Sequence, residues 1–166
     1  KSRVVSEKEK KIIAYHELGH AIIGSLLPNA DPVHKVTIVP RGHQALGYTL
    51  QLPLEDKYLL SRSEMLDRIV AILGGRAAEE VIFGEVTTGA GNDLKKATEY
   101  ARLMVCQLGM SDKIGPIAWG EEEEEVFLGR EITKMKNYSD ETAALIDSEM
   151  NKIITDGYEK AKELVR

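Results

Sequence analysis

Residues 6–28 read SEKEKKIIAYHELGHAIIGSLLP, and they decide how the rest of the chain is read. Ser6 and Glu9 stand at the spacing of a capping box, which satisfies free N–H groups at a helix start. Apolar residues follow at Ile12, Ile13, Ile22, Ile23, Leu26 and Leu27, and Pro28 cannot continue a helix. The pattern predicts one helix over residues 7–27. Inside it lies His16-Glu17-Leu18-Gly19-His20, an H-E-x-x-H motif. Side chains four apart on a helix share a face, roughly 5–6 Å apart at Cβ, so two imidazoles there can converge on one ion. With 4 His among 166 residues, chance alone assembles such a motif in roughly one sequence in a hundred. The competing reading is a pair of buried histidines with a salt-bridged Glu17. A carboxylate on a mostly apolar helix is costly to bury without a partner, so the metal reading is preferred.

That reading makes His16 and His20 ligands of one Zn2+ per chain and Glu17 the base that takes a proton from water. Peptide hydrolysis is the natural reaction for the arrangement. A third protein ligand is needed. Ile23 and Leu26 occupy the positions where a metzincin carries Gly and His, which excludes that class. Two alternatives stay level on spacing alone: Glu79 or Glu80 on a later helix, and Asp93 after Gly89-Ala90-Gly91. An acid at a helix start also has a purely dipolar explanation.

Working outward, residues 35–39 and 46–50 read as short strands of a small sheet with an open edge. A second helix is predicted from near Ser63 to Phe83, with Gly74-Gly75 permitting close packing. Residues 84–91 form a Gly- and Thr-rich loop, and a third helix covers 92–108, ended by Gly109. Short strands are expected at 117–119 and 126–128. The run of glutamates at 121–125 reads as a solvated loop. Ser139 caps a final helix with an apolar stripe of Leu145, Ile146, Met150, Ile153 and Ile154. The fold class is therefore mostly α-helical with a small β-sheet (α+β), in one domain spanning residues 1–166.

Composition excludes several classes. A net charge of -5 argues against nucleic-acid binding. The lone Cys106 allows no internal disulfide, reads as a packed small apolar residue, and suits a reduced, intracellular compartment. No apolar run reaches membrane-spanning length, so contact with a membrane is expected only through segments outside this chain. Residues 42–47 begin like a phosphate-binding loop, but Tyr48-Thr49 replaces the required Lys-Ser/Thr, so no ATP site is expected. His34 and His43 read as surface histidines, with oxyanion stabilisation as the lesser alternative.

Several stretches together resemble the peptidase domain of the membrane-anchored, ATP-dependent zinc metalloproteases of the FtsH type. They are AYHELGHAIIG (14–24), DPVHKVTIVPRG (31–42), ALGYTLQLP (45–53), LGGRAAEE (73–80), TTGAGNDLKKAT (87–98), GMSDKIGP (109–116) and VFLGR (126–130). The resemblance implies a mostly helical fold with a small sheet, and Asp93 as the third zinc ligand. It implies a homo-hexamer beneath a ring of ATPase domains that threads in membrane and soluble protein substrates. It also implies a parent anchored in a bacterial inner membrane or an organelle membrane, with this domain on the cytoplasmic or matrix side. The ATPase and membrane segments, and further C-terminal helices, are expected to lie outside residues 1–166. Leu18 and Gly91 depart from the family's usual Ala and Ser, and neither is a ligand. An extended substrate is expected along the sheet edge at Lys35, Val36, Thr37, Ile38 and Val39, or at 46–50. A non-catalytic assembly module and a stand-alone peptidase with a Glu ligand are the rival readings.

Overall fold

The computed structural model describes residues 4–30, 33–38, 48–51, 59–120, 126–128, 131–133 and 138–166. The Ser6 hydroxyl accepts the Glu9 N–H at 3.2 Å, and the Glu9 carboxylate accepts the Ser6 N–H at 3.0 Å. This reciprocal cap opens helix α1, Glu7–Leu26. Strands β1 (Val33–Thr37) and β2 (Tyr48–Gln51) pair antiparallel, with an irregularity between Val33 and Lys35. Helix α2, Arg62–Phe83, starts at Ser61, whose hydroxyl accepts the Glu64 N–H, and stops at Gly84 in the left-handed region at φ 68°. A 3-10 turn at Thr88–Ala90 leads into α3, Gly91–Arg102. This helix widens into a π-helical turn at Leu103–Gln107 and ends at Gly109, φ 60°. Strands β3 (Val126–Leu128) and β4 (Glu131–Thr133) pair antiparallel, and α4, Asp140–Val165, closes the chain under a Ser139 cap.

Helices of 20, 22, 12 and 26 residues against strands of three to five make the described chain mostly helical. Helix α2 is its centre. Ile69 and Leu73 of α2 are buried with Ile23 of α1, Ala97 and Ala101 of α3, Met104 of the π-helical turn and Ala161 of α4. Each fully buried large aliphatic side chain contributes about 1.5–3 kcal/mol. A smaller cluster of Val105, Cys106, Ile114 and Ile146 packs under Trp119 and Tyr138. Cys106 is thus a packed apolar residue, as its sequence context predicts.

The α1–α2 crossing is set by glycine. A Cβ on Gly19 would lie 2.3 Å from the Gly74 carbonyl oxygen, and one on Gly74 would lie 2.8 Å from that of Gly19. Backbones that approach this closely leave no room for side chains between them. The crossing lays the H-E-x-x-H face of α1 directly over α2.

One expected strand is absent, and β1 falls two residues earlier than the expected 35–39, so Ile38 lies past its end. Residues 117–119 form no strand. The Trp119 N–H instead donates to the Cys106 carbonyl at 2.6 Å, and the Ile117 N–H turns back to the Gly115 carbonyl. These donors close the end of the π-helical turn and a local turn, so no ladder forms. Strand β4 has no counterpart among the sequence expectations. The expected glutamate loop at 121–125, with Val39, His43, Leu46 and Gly47, lies outside the described residues.

Candidate metal centre

His16 and His20 sit one helical turn apart on α1, with their Nε2 atoms 3.1 Å from each other. Asp93, in the first turn of α3, brings its Oδ2 to 3.0 Å from His16 Nε2 and 3.2 Å from His20 Nε2. Three ligand-type atoms thus converge on one point, a group that could hold a metal ion. Asp93 therefore does more than complement the helix dipole.

The far side of each ring shows why the convergence matters. His16 Nδ1 lies 2.7 Å from Glu79 Oε2, and His20 Nδ1 lies 2.8 Å from the Ala71 carbonyl oxygen. Both partners accept hydrogen bonds, so each neutral imidazole carries its proton on Nδ1 and turns a lone pair outward at Nε2. Two lone pairs and a carboxylate oxygen then face one another across about 3 Å. Only a cation satisfies all three at once. Their spacings of 3.0, 3.1 and 3.2 Å fall just under the roughly 3.3–3.4 Å edge of a tetrahedron with zinc bonds of about 2.0–2.1 Å.

Without a metal, a proton takes that role. Burial would push the His16 imidazolium down, but the hydrogen bonds and charges of Asp93 and Glu79 outweigh it and raise its pKa to about 9. Burial likewise works against the Asp93 carboxylate. His16 and His20 overcome it and hold Asp93 well below the usual carboxylate range.

Glu79 and Glu80, adjacent on α2, divide sharply. Glu79 is fully buried. Its Oε1 accepts the Thr87 N–H at 3.1 Å and the Thr87 hydroxyl, while Oε2 holds His16. Thr87 caps the 3-10 turn that leads to Asp93, so one carboxylate ties a histidine to the segment delivering the opposing Asp. Glu80 points the other way. It accepts from the Tyr158 hydroxyl and meets Lys162 Nζ at 3.7 Å, joining α2 to α4. Neither Glu reaches the Nε2 side. The tie to Thr87 is not among the sequence expectations; its only signal there is a Thr in cap position eight residues after a Glu.

Glu17 is 8% exposed on the turn that carries His16. Of the expected sheet-edge residues, Lys35, Val36 and Ile38 are exposed and Thr37 is half-buried, while Val39 lies outside the described residues. The structure places β1 against α1. His34 lies on β1. A cavity of about 460 Å³ lies between α2 and α3, lined by Arg68, Ile72, Lys96, Tyr100, Leu103 and Ala71, the residue whose carbonyl faces His20. Among the described residues no helix is long and apolar enough to cross a membrane.

The chain matches the model of peptidase family M41 over residues 3–166. It is 63% identical over 166 residues to the "ATP-dependent zinc metalloprotease FtsH" of Thermotoga maritima, covering 100% of this chain and 27% of that protein. It is 67% identical over 165 residues to the protein of the same name from Kosmotoga olearia, and 68% identical over 165 to "ATP-dependent zinc metalloprotease FtsH 2" of Petrotoga mobilis. Each of these two alignments covers 99% of this chain and 26% of the relative. The chain thus spans about a quarter of the length of the curated relatives it matches. With a family match this extensive and relatives identical at about two positions in three, the chain belongs to peptidase family M41.

Proposed function

We propose that residues 1–166 form a zinc endopeptidase domain, the proteolytic part of an ATP-dependent protease, with His16, His20 and Asp93 holding one Zn2+. The observation that carries this reading is the inward convergence of two Nε2 lone pairs and the Asp93 Oδ2, with both Nδ1 protons committed elsewhere. Zinc bound there would supply Lewis acidity toward a peptide carbonyl and lower the pKa of a water toward about 7. Glu17 takes the proton of the attacking water and returns it to the leaving amine. Glu79 and the Ala71 carbonyl hold the two imidazoles in the ligating tautomer.

The substrate in this reading is an unfolded polypeptide. Among the described residues β1 has a strand neighbour only in β2, which supports addition of an extended peptide by backbone hydrogen bonds at Lys35, Val36, Thr37, Ile38 and Val39. Leu18, Ile22 and Leu26 on α1, with Val36 and Ile38, present apolar surface suited to side chains that a folded substrate would hide. The cavity behind Ala71 has room for one such side chain. The relatives' names support an ATP-driven parent. In that parent six copies assemble under their ATPase domains, anchored in a bacterial inner or organelle membrane with this domain on the cytoplasmic or matrix side.

The deciding experiment pairs metal content with hydrolysis of an unstructured peptide. Glu17→Gln retains about one zinc per chain and loses hydrolysis, since the carboxylate acts on the proton and not on the metal. A wild-type rate in Glu17→Gln would remove Glu17 from its role, and a wild-type chain without zinc would remove the site.

A further inference from the structure

Three glycines line the α1–α2 crossing, and what each would strike differs in kind. At Gly19 and Gly74 an added Cβ meets the opposite backbone, at 2.3 Å and 2.8 Å from a carbonyl oxygen. At Gly75 an added Cβ meets no backbone among its nearest atoms. It lands on the His16 imidazole, 2.4 Å from Nε2, 2.5 Å from Cε1 and 2.6 Å from Cδ2. All three contacts are far below the closest approach that carbon tolerates. The struck edge of the ring includes Nε2, which faces Asp93 and His20.

We infer that Gly75 is a positioning residue for the metal: its missing side chain leaves the space that the edge of the His16 ring occupies against α2, with Nε2 facing Asp93 and His20. Backbone at a crossing yields only by separating two helices. An imidazole yields by rotating, but this one is fixed by Glu79 on Nδ1. An alanine at 75 therefore has two exits. Either the ring swings away and the ligand set is spoiled, or the ring stays and the helices part. Alanine at 19 or 74 has only the second exit. Two neighbouring glycines on one helix thus serve different ends, Gly74 the crossing and Gly75 the ligand.

The inference rests on the metal site proposed above, so the test separates the two. Zinc affinity is read by competition with a chromophoric chelator, and the melting temperature of the metal-free 166-residue chain is read by circular dichroism. The variants are Gly75→Ala, Gly74→Ala, His16→Ala and the double variant Gly75→Ala/His16→Ala. Parent binding together with loss in His16→Ala establishes the site. Gly75→Ala then weakens zinc binding at least tenfold, the scale seen when a ligand loses its orientation. Gly74→Ala instead lowers the metal-free melting temperature. In the double variant the ring is gone, and with it the three atoms nearest to a methyl at 75. The helical preference for Ala over Gly then raises melting by about 2–4 °C relative to His16→Ala alone.

If Gly75→Ala does not fold by itself but folds in the His16→Ala background, the ring contact is established by the rescue. Zinc affinity in Gly75→Ala within twofold of the parent overturns the inference and leaves the site intact. Equal destabilisation by Gly75→Ala with and without the His16 ring also overturns it. A parent that binds no zinc overturns the site and the inference together.

Discussion

Replacing Glu79 with Gln changes no heavy-atom volume, so its consequences follow from hydrogens alone. The carboxylate is fully buried and accepts from three donors: His16 Nδ1 on one oxygen, and the Thr87 N–H and hydroxyl on the other. An amide offers one oxygen and one NH2. With the oxygen toward Thr87, the NH2 faces His16 Nδ1 and draws the ring into the other tautomer, which puts a proton on Nε2, the atom proposed to bind zinc. With the oxygen toward His16, the NH2 opposes the Thr87 N–H and leaves that donor unsatisfied, at about 1–3 kcal/mol. The first arrangement weakens zinc and the second weakens the fold. The expected result is a zinc affinity reduced about 10–100-fold, with a metal-free melting temperature lowered by about 2–10 °C. Glu80→Gln is the control, because Glu80 keeps the Tyr158 hydroxyl and a partly exposed Lys162 contact. It should change stability by under about 1 kcal/mol and leave zinc binding untouched. Competition titration and calorimetry read both quantities. Zinc affinity within twofold of the parent in both Glu79→Gln and Glu79→Ala would refute the tautomer argument.

Other outcomes follow from the same geometry. Asp93→Ala should lose most zinc affinity, measured by the same titration; retention would return the third-ligand role to another group. Zinc binding should release protons, because the metal displaces the one held by His16 at a pKa of about 9; calorimetry at pH 7.5 in buffers of differing ionisation heat should find about one proton released, and none would contradict the assignment. In the metal-free chain the His16 contribution, on the order of 3 kcal/mol from the raised pKa, is fully present below the unfolded value of 6.5 and fades as pH rises through about 9. The Asp93 contribution is present above its ordinary value of 3.8 and fades in acid; melting without metal should therefore be highest between about pH 4 and 6.5 with respect to these two groups. Leu73→Ala, at 1% exposure in the core, should cost about 2–5 kcal/mol in chemical denaturation.

Features governed by near neighbours are the ones legible in the sequence. The Ser6–Glu9 and Ser139 caps and the Gly109 stop depend on residues a few positions away, and the structure has all of them. The start of α2 falls slightly earlier than expected because Ser61 and Ser63 both suit a cap, and only Ser61 is used. The strand expected at 117–119 fails because its donors go to Cys106 and Gly115, and Cys106 belongs to the preceding helical element. The metal-type pair on α1 is legible because both histidines share one helix. The choice among Glu79, Glu80 and Asp93 is not, since it depends on how α2 is rotated against α1 and on a Tyr at position 158. Only the resemblance favours Asp93. That Gly75 lies under the His16 ring is hidden for the same reason; the sequence announces close packing but not what is packed.

His20 and Asp93 lie 73 residues apart in the chain yet face one atom-sized gap. A cation held between them acts as a cross-link, and the loop it ties off contains strands β1 and β2 and all of α2. By the chain-entropy reasoning used for disulfides, closing a loop of that length removes about 4 kcal/mol of freedom from the unfolded chain. Unlike a disulfide, this tie dissolves with a chelator or with acid rather than with a reductant. Metal supply would then decide how long the folded domain survives as well as whether it can cut.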